Sequence, residues 1–211
     1  MIDAVVYDLD GTLVDSVADI ASSTNEMLLR LGLPVHEEHV IRGFVGEGAE
    51  RLIRRALGPA HEDRYAVASV HWREIYGRRL LEQTALYDGV AQLLKVPPHR
   101  RAVLTNKPGG FARRILAGLG IAGAFEAVIG GDEGPRKPDP GNLLGLCKAL
   151  GAAPARTLLV GDSVVDLATG KAAGVPVCAV TWGLGERASF SSADAICDTP
   201  AEVATLLQKR A

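Results

Sequence analysis

Side chains able to perform acid, base or metal chemistry follow four apolar runs of this sequence, at the point where each run ends. Asp8-Leu9-Asp10-Gly11-Thr12 follows the first run, and Thr105-Asn106 follows the second. Lys137 lies in the loop after the third run, and Gly161-Asp162 with Asp166 follows the fourth. Carboxylates serve as nucleophiles, as general acids or bases and as ligands of hard cations, whereas a lysine neutralises an anion. Each motif alone is weak, so their meaning depends on whether the fold brings them together.

The apolar runs themselves predict the elements that position these motifs. The candidate strands are Ala4–Tyr7, Ala102–Thr105, Ala127–Ile129, Thr157–Val160 and Val177–Val180. Helical patterns such as Phe111–Leu119 and Asn142–Leu150 separate them, and this alternation predicts an α/β fold with a parallel, Rossmann-like sheet. Ligands of such sheets bind beyond the carboxyl ends of the strands. We therefore expect the four motifs to converge on one crevice.

The predicted crevice collects carboxylates that need a counter-charge. Asp8, Asp10, Asp162 and Asp166 would repel one another unless a cation binds among them. Hard oxygen ligands in an incomplete protein shell suit Mg²⁺, which keeps several waters and bridges to substrate phosphate. The sequence therefore predicts a magnesium site and a small phosphorylated metabolite as the partner of that site.

One long segment interrupts the alternation of strands and helices. From about residue 16 to residue 84 only helical patterns occur, over Ser16–Leu31, Ala49–Leu57 and Glu62–Leu81. We expect residues 1–15 and 85–211 to form the catalytic core, and residues 16–84 to form a helical cap domain inserted after the first strand. The alternative is that these helices simply pack on the sheet.

Composition and charge exclude several classes of protein. The chain has 211 residues, of which 47% are hydrophobic, and a net charge of −2. These values exclude disorder and the global basic footprint of a nucleic-acid binder. No stretch approaches the length of a membrane span, and the first residues lack the pattern of a signal peptide. We expect a cytoplasmic protein with no nucleic-acid or membrane partner, present as a monomer or homodimer.

In this order, the motifs resemble those of the haloacid dehalogenase (HAD) superfamily of phosphohydrolases, and the resemblance covers essentially the whole chain. Asp8-x-Asp10-Gly11-Thr12 resembles the first motif of the superfamily, Thr105 the second, Lys137 the third and Asp162-x-x-x-Asp166 the fourth. Within the superfamily the sequence is most similar to the bacterial phosphoglycolate phosphatases. The stretches that carry this similarity are Asp10–Ser16, Val45–Ala49, Leu104–Pro108, Val128–Asp132 and Lys137–Pro140.

The resemblance implies an HAD-like core that hydrolyses a phosphomonoester, 2-phosphoglycolate above all, through an aspartyl-phosphate. It makes Asp8 the nucleophile and Asp10 the general acid and base. Thr105 and Asn106 would hold the phosphoryl oxygens, and Lys137 would neutralise charge there. Lys137 and Mg²⁺ would favour ionised Asp8, which leaves Asp10 to carry the proton.

The resemblance also implies a metal set and a loop that selects the substrate. Asp8, the backbone carbonyl of Asp10 and Asp162 would hold Mg²⁺, with Asp166 either a ligand or, as we favour, a partner of the ligands. In the cap, the loop with Gly46 and Gly48 would reach the leaving group, and nearby Arg51 would supply a cation for it. The alternative is that these two glycines have no role in binding and only break a helix.

Three other functions remain open from the sequence. The substrate could be another small phosphate compound, such as pyrophosphate or a sugar phosphate. A phosphosugar mutase shares the same core but returns the phosphoryl group to its substrate. A non-catalytic phospho-ligand sensor would use the fold for binding alone, although such a module has no use for the proton shuttle at Asp10.

Overall fold

Eight strands are present in the computed structural model, which describes residues 2–97 and 100–209. They are β1 (Ala4–Tyr7), β2 (Val14–Asp15), β3 (Ala85–Leu86), β4 (Arg101–Leu104), β5 (Ala127–Ile129), β6 (Thr157–Gly161), β7 (Val177–Val180) and β8 (Ala195–Cys197). Six of them form one parallel sheet in the order β5-β4-β1-β6-β7-β8. The predicted parallel α/β sheet is thereby confirmed.

Helices cover both faces of this sheet. The helices of the described residues are α1 (Val17–Arg30), α2 (Glu38–Arg42), α3 (Ala49–Leu57), α4 (Tyr65–Arg79), α5 (Val90–Leu93), α6 (Gly109–Gly118), α7 (Gly141–Ala149), α8 (Val164–Ala173) and α9 (Pro200–Lys209). Alternate residues of a strand face opposite sides. Val5 and Tyr7 accordingly join the apolar cluster that contains residues of α6 and α9, whereas Ala4 and Val6 join the cluster with α7 and α8. Burial on both faces explains why these strands are continuous apolar runs.

Strand β1 lies in the middle of the sheet and holds the first motif. Val5 is paired with Arg101 of β4 on one side and with Leu158 of β6 on the other. The carboxyl ends of β1, β4 and β6 therefore lie next to one another, at one edge of the sheet. This register brings the residues after Tyr7, Leu104 and Gly161 together.

The chain leaves and re-enters this core at one place. Strands β2 and β3 pair antiparallel, with Val14 opposite Leu86 and Asp15 opposite Ala85, and α1 to α4 lie between them in the chain. The buried carboxylate of Asp19 accepts hydrogen bonds from the backbone N–H groups of Gln83 and Thr84. The start and the end of the helical insert are thus tied together.

The helices of the insert pack mainly on one another. Helix α1 packs on α4 and on α2, and α3 packs on α4. The indole N–H of Trp72 donates to Thr24 Oγ1 at 3.0 Å, which joins α4 to α1. Contact with the core includes α4, where the Tyr76 ring meets the Phe111 ring of α6 edge to face at 5.3 Å. The insert is therefore a helical layer that packs largely on itself and also contacts the core.

Three differences from the sequence-based prediction concern short elements. Strand β8 and the β2–β3 pair were not predicted, since strands of two or three residues give only a weak pattern in the sequence. The helix predicted over Glu62–Leu81 begins at Tyr65, after a 3₁₀ turn over Pro59–Arg64.

Among the described residues, no helix has the length and apolar character needed to cross a bilayer.

Candidate active site

Asp8 is the first residue after β1, and its carboxylate is held on one oxygen. The Asp8 backbone N–H donates to Val160 O at 2.9 Å, which continues the sheet pairing past the end of the strand. Asp8 Oδ1 accepts a hydrogen bond from the Leu9 N–H at 2.7 Å and lies 2.9 Å from Lys137 Nζ. Both contacts fall on Oδ1 and fix the orientation of the carboxylate.

Lys137 lies between two carboxylates. Its Nζ is 2.9 Å from Asp8 Oδ1 and 2.7 Å from Asp166 Oδ1, and its side chain is 1% exposed. Burial alone would lower the pKa of Lys137, but the charges of Asp166 and Asp8 outweigh it and raise this pKa. The lysine therefore stays protonated and fixes the position of Asp8.

Asp166 is itself positioned by the start of α8. Its Oδ2 accepts from the Ser163 hydroxyl at 2.6 Å and from the Ser163 N–H at 3.2 Å, and the Ser163 hydroxyl in turn accepts from the Asp166 N–H. This reciprocal pair is a capping box, which satisfies N–H groups at the helix start. Because both oxygens of Asp166 are engaged, the geometry suits a residue that orients Lys137.

Asp162 follows the end of β6, and backbone segments of two loops surround its carboxylate. Its Oδ1 accepts from the Thr12 hydroxyl at 3.0 Å and its Oδ2 from the Leu184 N–H at 2.7 Å. A Cβ atom on Gly11, where φ is +83°, would lie 2.1 Å from Asp162 Oδ2, and one on Gly183 would lie 2.5 Å from it. Two glycines are therefore required for the backbone to approach this carboxylate so closely.

The three carboxylates of Asp8, Asp162 and Asp166 form one buried group, with ligand oxygens all within 4.8 Å of one another. Burial, opposed by Lys137 but reinforced by the charges of Asp166 and Asp162, raises the pKa of Asp8 to about 8. Burial and the charge of Asp166 likewise raise the pKa of Asp162 to about 6. The expectation that Lys137 and Mg²⁺ together favour ionised Asp8 stays a prediction, in which the ion is needed to offset these raised pKa values.

This excess of negative charge is the observation that fits a metal. Three buried carboxylates face one ammonium group, and an added divalent cation would relieve their repulsion. Asp8 and Asp162 are placed to hold such a cation, whereas the Asp10 carboxylate lies outside this group of three among the described residues.

Asp10 instead pairs with a lysine that the sequence-based reasoning missed. Lys107 Nζ lies 2.9 and 3.1 Å from the two carboxylate oxygens of Asp10, and the Ser16 hydroxyl donates to Asp10 Oδ1 at 2.5 Å. Lys107 is 3% exposed in its side chain, and its Nζ stands 4.7 Å from the centre of the Tyr76 ring. Burial would lower the pKa of Lys107, but the Asp10 charge outweighs it and raises this pKa.

Thr105 and Asn106 follow β4, as predicted, but Asn106 uses its side chain to hold loops. Its Nδ2 donates to Lys137 O and to Gly46 O, each at 3.1 Å, and its Oδ1 accepts from the Lys137 N–H at 2.9 Å. The Thr105 hydroxyl accepts from the Lys107 N–H at 3.1 Å. Asn106 thereby joins the Lys137 loop to the loop of the insert.

The loop with Gly46 and Gly48 reaches the site, whereas Arg51 does not. Both glycines line a pocket together with Asp8, Asp10 and Thr105. At Gly48, where φ is +92°, a Cβ would lie 3.1 Å from Asn106 O. The Arg51 side chain is 63% exposed, pairs with Glu47 and does not line this pocket.

The fold and the site define the class of protein. The model of the haloacid dehalogenase-like hydrolase family matches residues 5–180, and the chain belongs to that family. Among solved structures, one described as a predicted phosphoglycolate phosphatase from Haemophilus somnus superposes with a TM-score of 0.91 at 32% identity, covering 97% of each chain. A haloacid dehalogenase-like hydrolase from Streptococcus pneumoniae superposes with a TM-score of 0.88 at 27% identity, covering 98% of this chain and 99% of that one.

Curated relatives carry a more particular name. The phosphoglycolate phosphatase of Nitrosococcus oceani is 37% identical, and the match covers 98% of this chain and 97% of the relative. That of Rhodospirillum rubrum is 40% identical over 85% of this chain and 80% of the relative. The resemblance read from the four motifs is confirmed by these matches.

Proposed function

We propose that this protein is a Mg²⁺-dependent phosphomonoester hydrolase that converts 2-phosphoglycolate to glycolate and phosphate through an aspartyl-phosphate. The observation that carries the proposal is the pair of ion pairs that Lys137 makes with Asp8 and Asp166, which fixes one oxygen of Asp8. Asp8 also lines a pocket together with Asp10. The names of the relatives supply the substrate.

The first half of the reaction transfers the phosphoryl group to Asp8. The Asp8 carboxylate attacks phosphorus, the bond from phosphorus to the ester oxygen breaks, and Asp10 gives a proton to the departing oxygen. Lys137 holds Asp8 in line for attack and reduces the repulsion between its carboxylate and the incoming phosphate. Thr105, at the adjacent strand end, provides a hydroxyl for a phosphoryl oxygen.

The second half returns the enzyme to its starting state. Asp10, now ionised, takes a proton from a water molecule, whose oxygen attacks phosphorus and breaks the bond to Asp8. Inorganic phosphate leaves, and the Asp8 carboxylate and the Asp10 proton are restored. Lys107 and Ser16 keep the Asp10 carboxylate beside the pocket during both halves.

Asp8 and Asp162 would hold Mg²⁺, with the Asp10 carbonyl as the third protein ligand proposed from the family motif. When bound, the ion supplies positive charge against the carboxylates and the transferring phosphoryl oxygens. Asp166 positions Lys137 rather than the substrate. Residues 16–84 act as the cap over a core of residues 1–15 and 85–211, with the Gly46–Gly48 loop at the pocket.

A phosphate-release assay tests this function. With Mg²⁺, the protein is expected to release phosphate from 2-phosphoglycolate with a higher kcat/KM than from pyrophosphate or glucose 6-phosphate, because 2-phosphoglycolate is the substrate that the names of its relatives give. Omitting Mg²⁺ and adding a chelator is expected to remove the activity. A protein that releases no phosphate from any of these compounds, or that isomerises the sugar phosphate, does not have the proposed function.

The raised pKa values of Asp8 and Asp162 predict how pH and metal act together on stability. A carboxyl group whose pKa is raised on folding binds more protons in the folded state. Without metal, its contribution to the free energy of unfolding therefore falls as pH rises from about 4 towards about 8. Mg²⁺ displaces those protons, so its effect on Tm is expected to be at least about 3 °C larger at pH 8 than at pH 5.

Thermal unfolding with and without Mg²⁺ at the two pH values measures this effect. Asp162→Asn should lose most of the Mg²⁺-dependent shift, whereas Asp63→Asn, at an exposed position, should keep it. Equal shifts at pH 5 and pH 8 would contradict the assignment of Asp8 and Asp162 as metal ligands.

A further inference from the structure

The pocket at Asp8 has a cation of its own that belongs to the core and not to the insert. In the part of the chain that the structure describes, Lys107 is the cationic side chain that lines this pocket. Its neighbours there are largely apolar, among them Ile20, Val45 and Trp72. A buried ammonium group among apolar side chains is a strong partner for an anion, because little water competes for it.

The other cations near the pocket are engaged elsewhere. Arg42 donates to Gly183 O at 2.6 Å, and Arg136 donates to Gly131 O at 2.9 Å. Arg51 and Arg55 both pair with Glu47. Lys137 is enclosed between Asp8 and Asp166, so its charge is directed at the reacting carboxylate. Lys107 is also paired, with Asp10, but among the described residues it is the cation that lines the pocket, and so the one that can meet the non-reacting part of a substrate.

The position of Lys107 relative to Asp10 decides which part of the substrate it meets. If Asp8 attacks phosphorus and Asp10 serves the ester oxygen, the substrate atoms just beyond that oxygen lie beside the neighbours of Asp10. Lys107 Nζ is such a neighbour, at 2.9 and 3.1 Å from the Asp10 oxygens. In 2-phosphoglycolate one methylene group separates the ester oxygen from the carboxylate, which brings that carboxylate within reach of Nζ.

We propose that Lys107 binds the carboxylate of the leaving group and thereby makes the enzyme selective for phosphate esters of small hydroxy acids over neutral phosphate esters. This inference rests on the function proposed above and places the specificity residue at the end of β4, not in the insert. The ammonium group has three N–H donors. The incoming carboxylate takes up one of them while Asp10 keeps the others.

The test compares three substrates in the unaltered protein and in Lys107→Met. 2-Phosphoglycolate and 2-hydroxyethyl phosphate share the same ester, but only the first carries a carboxylate. p-Nitrophenyl phosphate has a leaving group that needs no proton. In Lys107→Met the ratio of kcat/KM for 2-phosphoglycolate to that for 2-hydroxyethyl phosphate is expected to fall about 100-fold, because a buried charge pair is lost.

The controls separate this role from the alternatives. Lys148→Met, at an exposed position, should leave the ratio unchanged, and Lys107→Arg should keep most of the preference for the carboxylate. If Lys107 only positions Asp10, both alkyl phosphates lose activity together and the ratio stays constant, which overturns the proposal. An equal loss on all three substrates also overturns it.

Two further outcomes have distinct meanings. If Lys107→Met does not fold, as judged by circular dichroism, the same ratio is measured in Lys107→Gln, which keeps polar contacts without the charge. If the unaltered protein releases phosphate from none of the three substrates, the proposed function itself fails. Phosphate release with an unchanged ratio in the neutral variant rejects the role of Lys107 alone.

Discussion

Asp8→Asn is expected to reduce phosphate release from 2-phosphoglycolate by about 10 000-fold or more, because the amide removes the nucleophilic oxygen. The fold should survive, since asparagine has nearly the same shape and its side-chain oxygen can still accept from the Leu9 N–H. Initial rates of phosphate release at saturating Mg²⁺ measure the loss. Near-normal turnover by this variant would exclude the aspartyl-phosphate mechanism.

The same variant makes a second, opposite prediction for stability. Burial raises the pKa of Asp8 to about 8, so the ionised carboxylate is held in the folded protein at a cost. Without metal at pH 8, Asp8→Asn should therefore unfold at an equal or higher temperature than the unaltered protein. Asp63→Asn, at an exposed site, should change neither activity nor Tm. If Asp8→Asn unfolds at a lower temperature than the unaltered protein, the Asp8 carboxylate stabilises the fold, and this prediction is wrong.

Lys137→Met is expected to lose both activity and stability. Methionine fills a similar volume, but it leaves the carboxylates of Asp8 and Asp166 without their shared ammonium group. Removing one partner of a buried ion pair costs about 3–5 kcal/mol in free energy of unfolding. Chemical denaturation at pH 8 without metal measures this loss, and the phosphate-release assay measures the loss of activity.

The matched control for this variant is Lys148→Met. Lys148 is exposed on α7, so the same chemical change there is expected to shift the free energy of unfolding by less than about 0.5 kcal/mol. If Lys137→Met unfolds at the same denaturant concentration as this control, Lys137 does not hold the carboxylates together as described.

The core of the site could be predicted from the sequence because its geometry follows from strand order. Parallel strands end at one edge of a sheet, so apolar runs followed by Asp8, Thr105 and Asp162 were enough to place these residues together. In the structure, Asp166 lies in the first turn of α8. What these contacts do in catalysis remains a prediction that the variants above test.

Contacts between the insert and the core could not be placed in the same way. Lys107 is buried by Tyr76 of α4, a contact between distant segments that no local pattern reveals. Arg51 was expected to face the substrate, but it pairs with Glu47 instead. Glu47 lies before α3 begins at Ala49, so the spacing of charges on a helix does not predict this pair. The positions of both Arg51 and Lys107 depend on how the chain packs outside its regular elements.

The central position of β1 has a consequence for how the protein is made. Val5 must pair with Arg101 on one side and with Leu158 on the other, so the strand that carries the nucleophile is completed by a segment synthesised late. A growing chain that has just finished β5 already contains Asp8, Asp10 and Thr105, yet it lacks β6 and Asp162. Such non-local pairing makes assembly slow and cooperative. A partly synthesised or partly unfolded chain therefore contains some of the reactive side chains but not the assembled active site. Activity is expected only from chains that have folded completely.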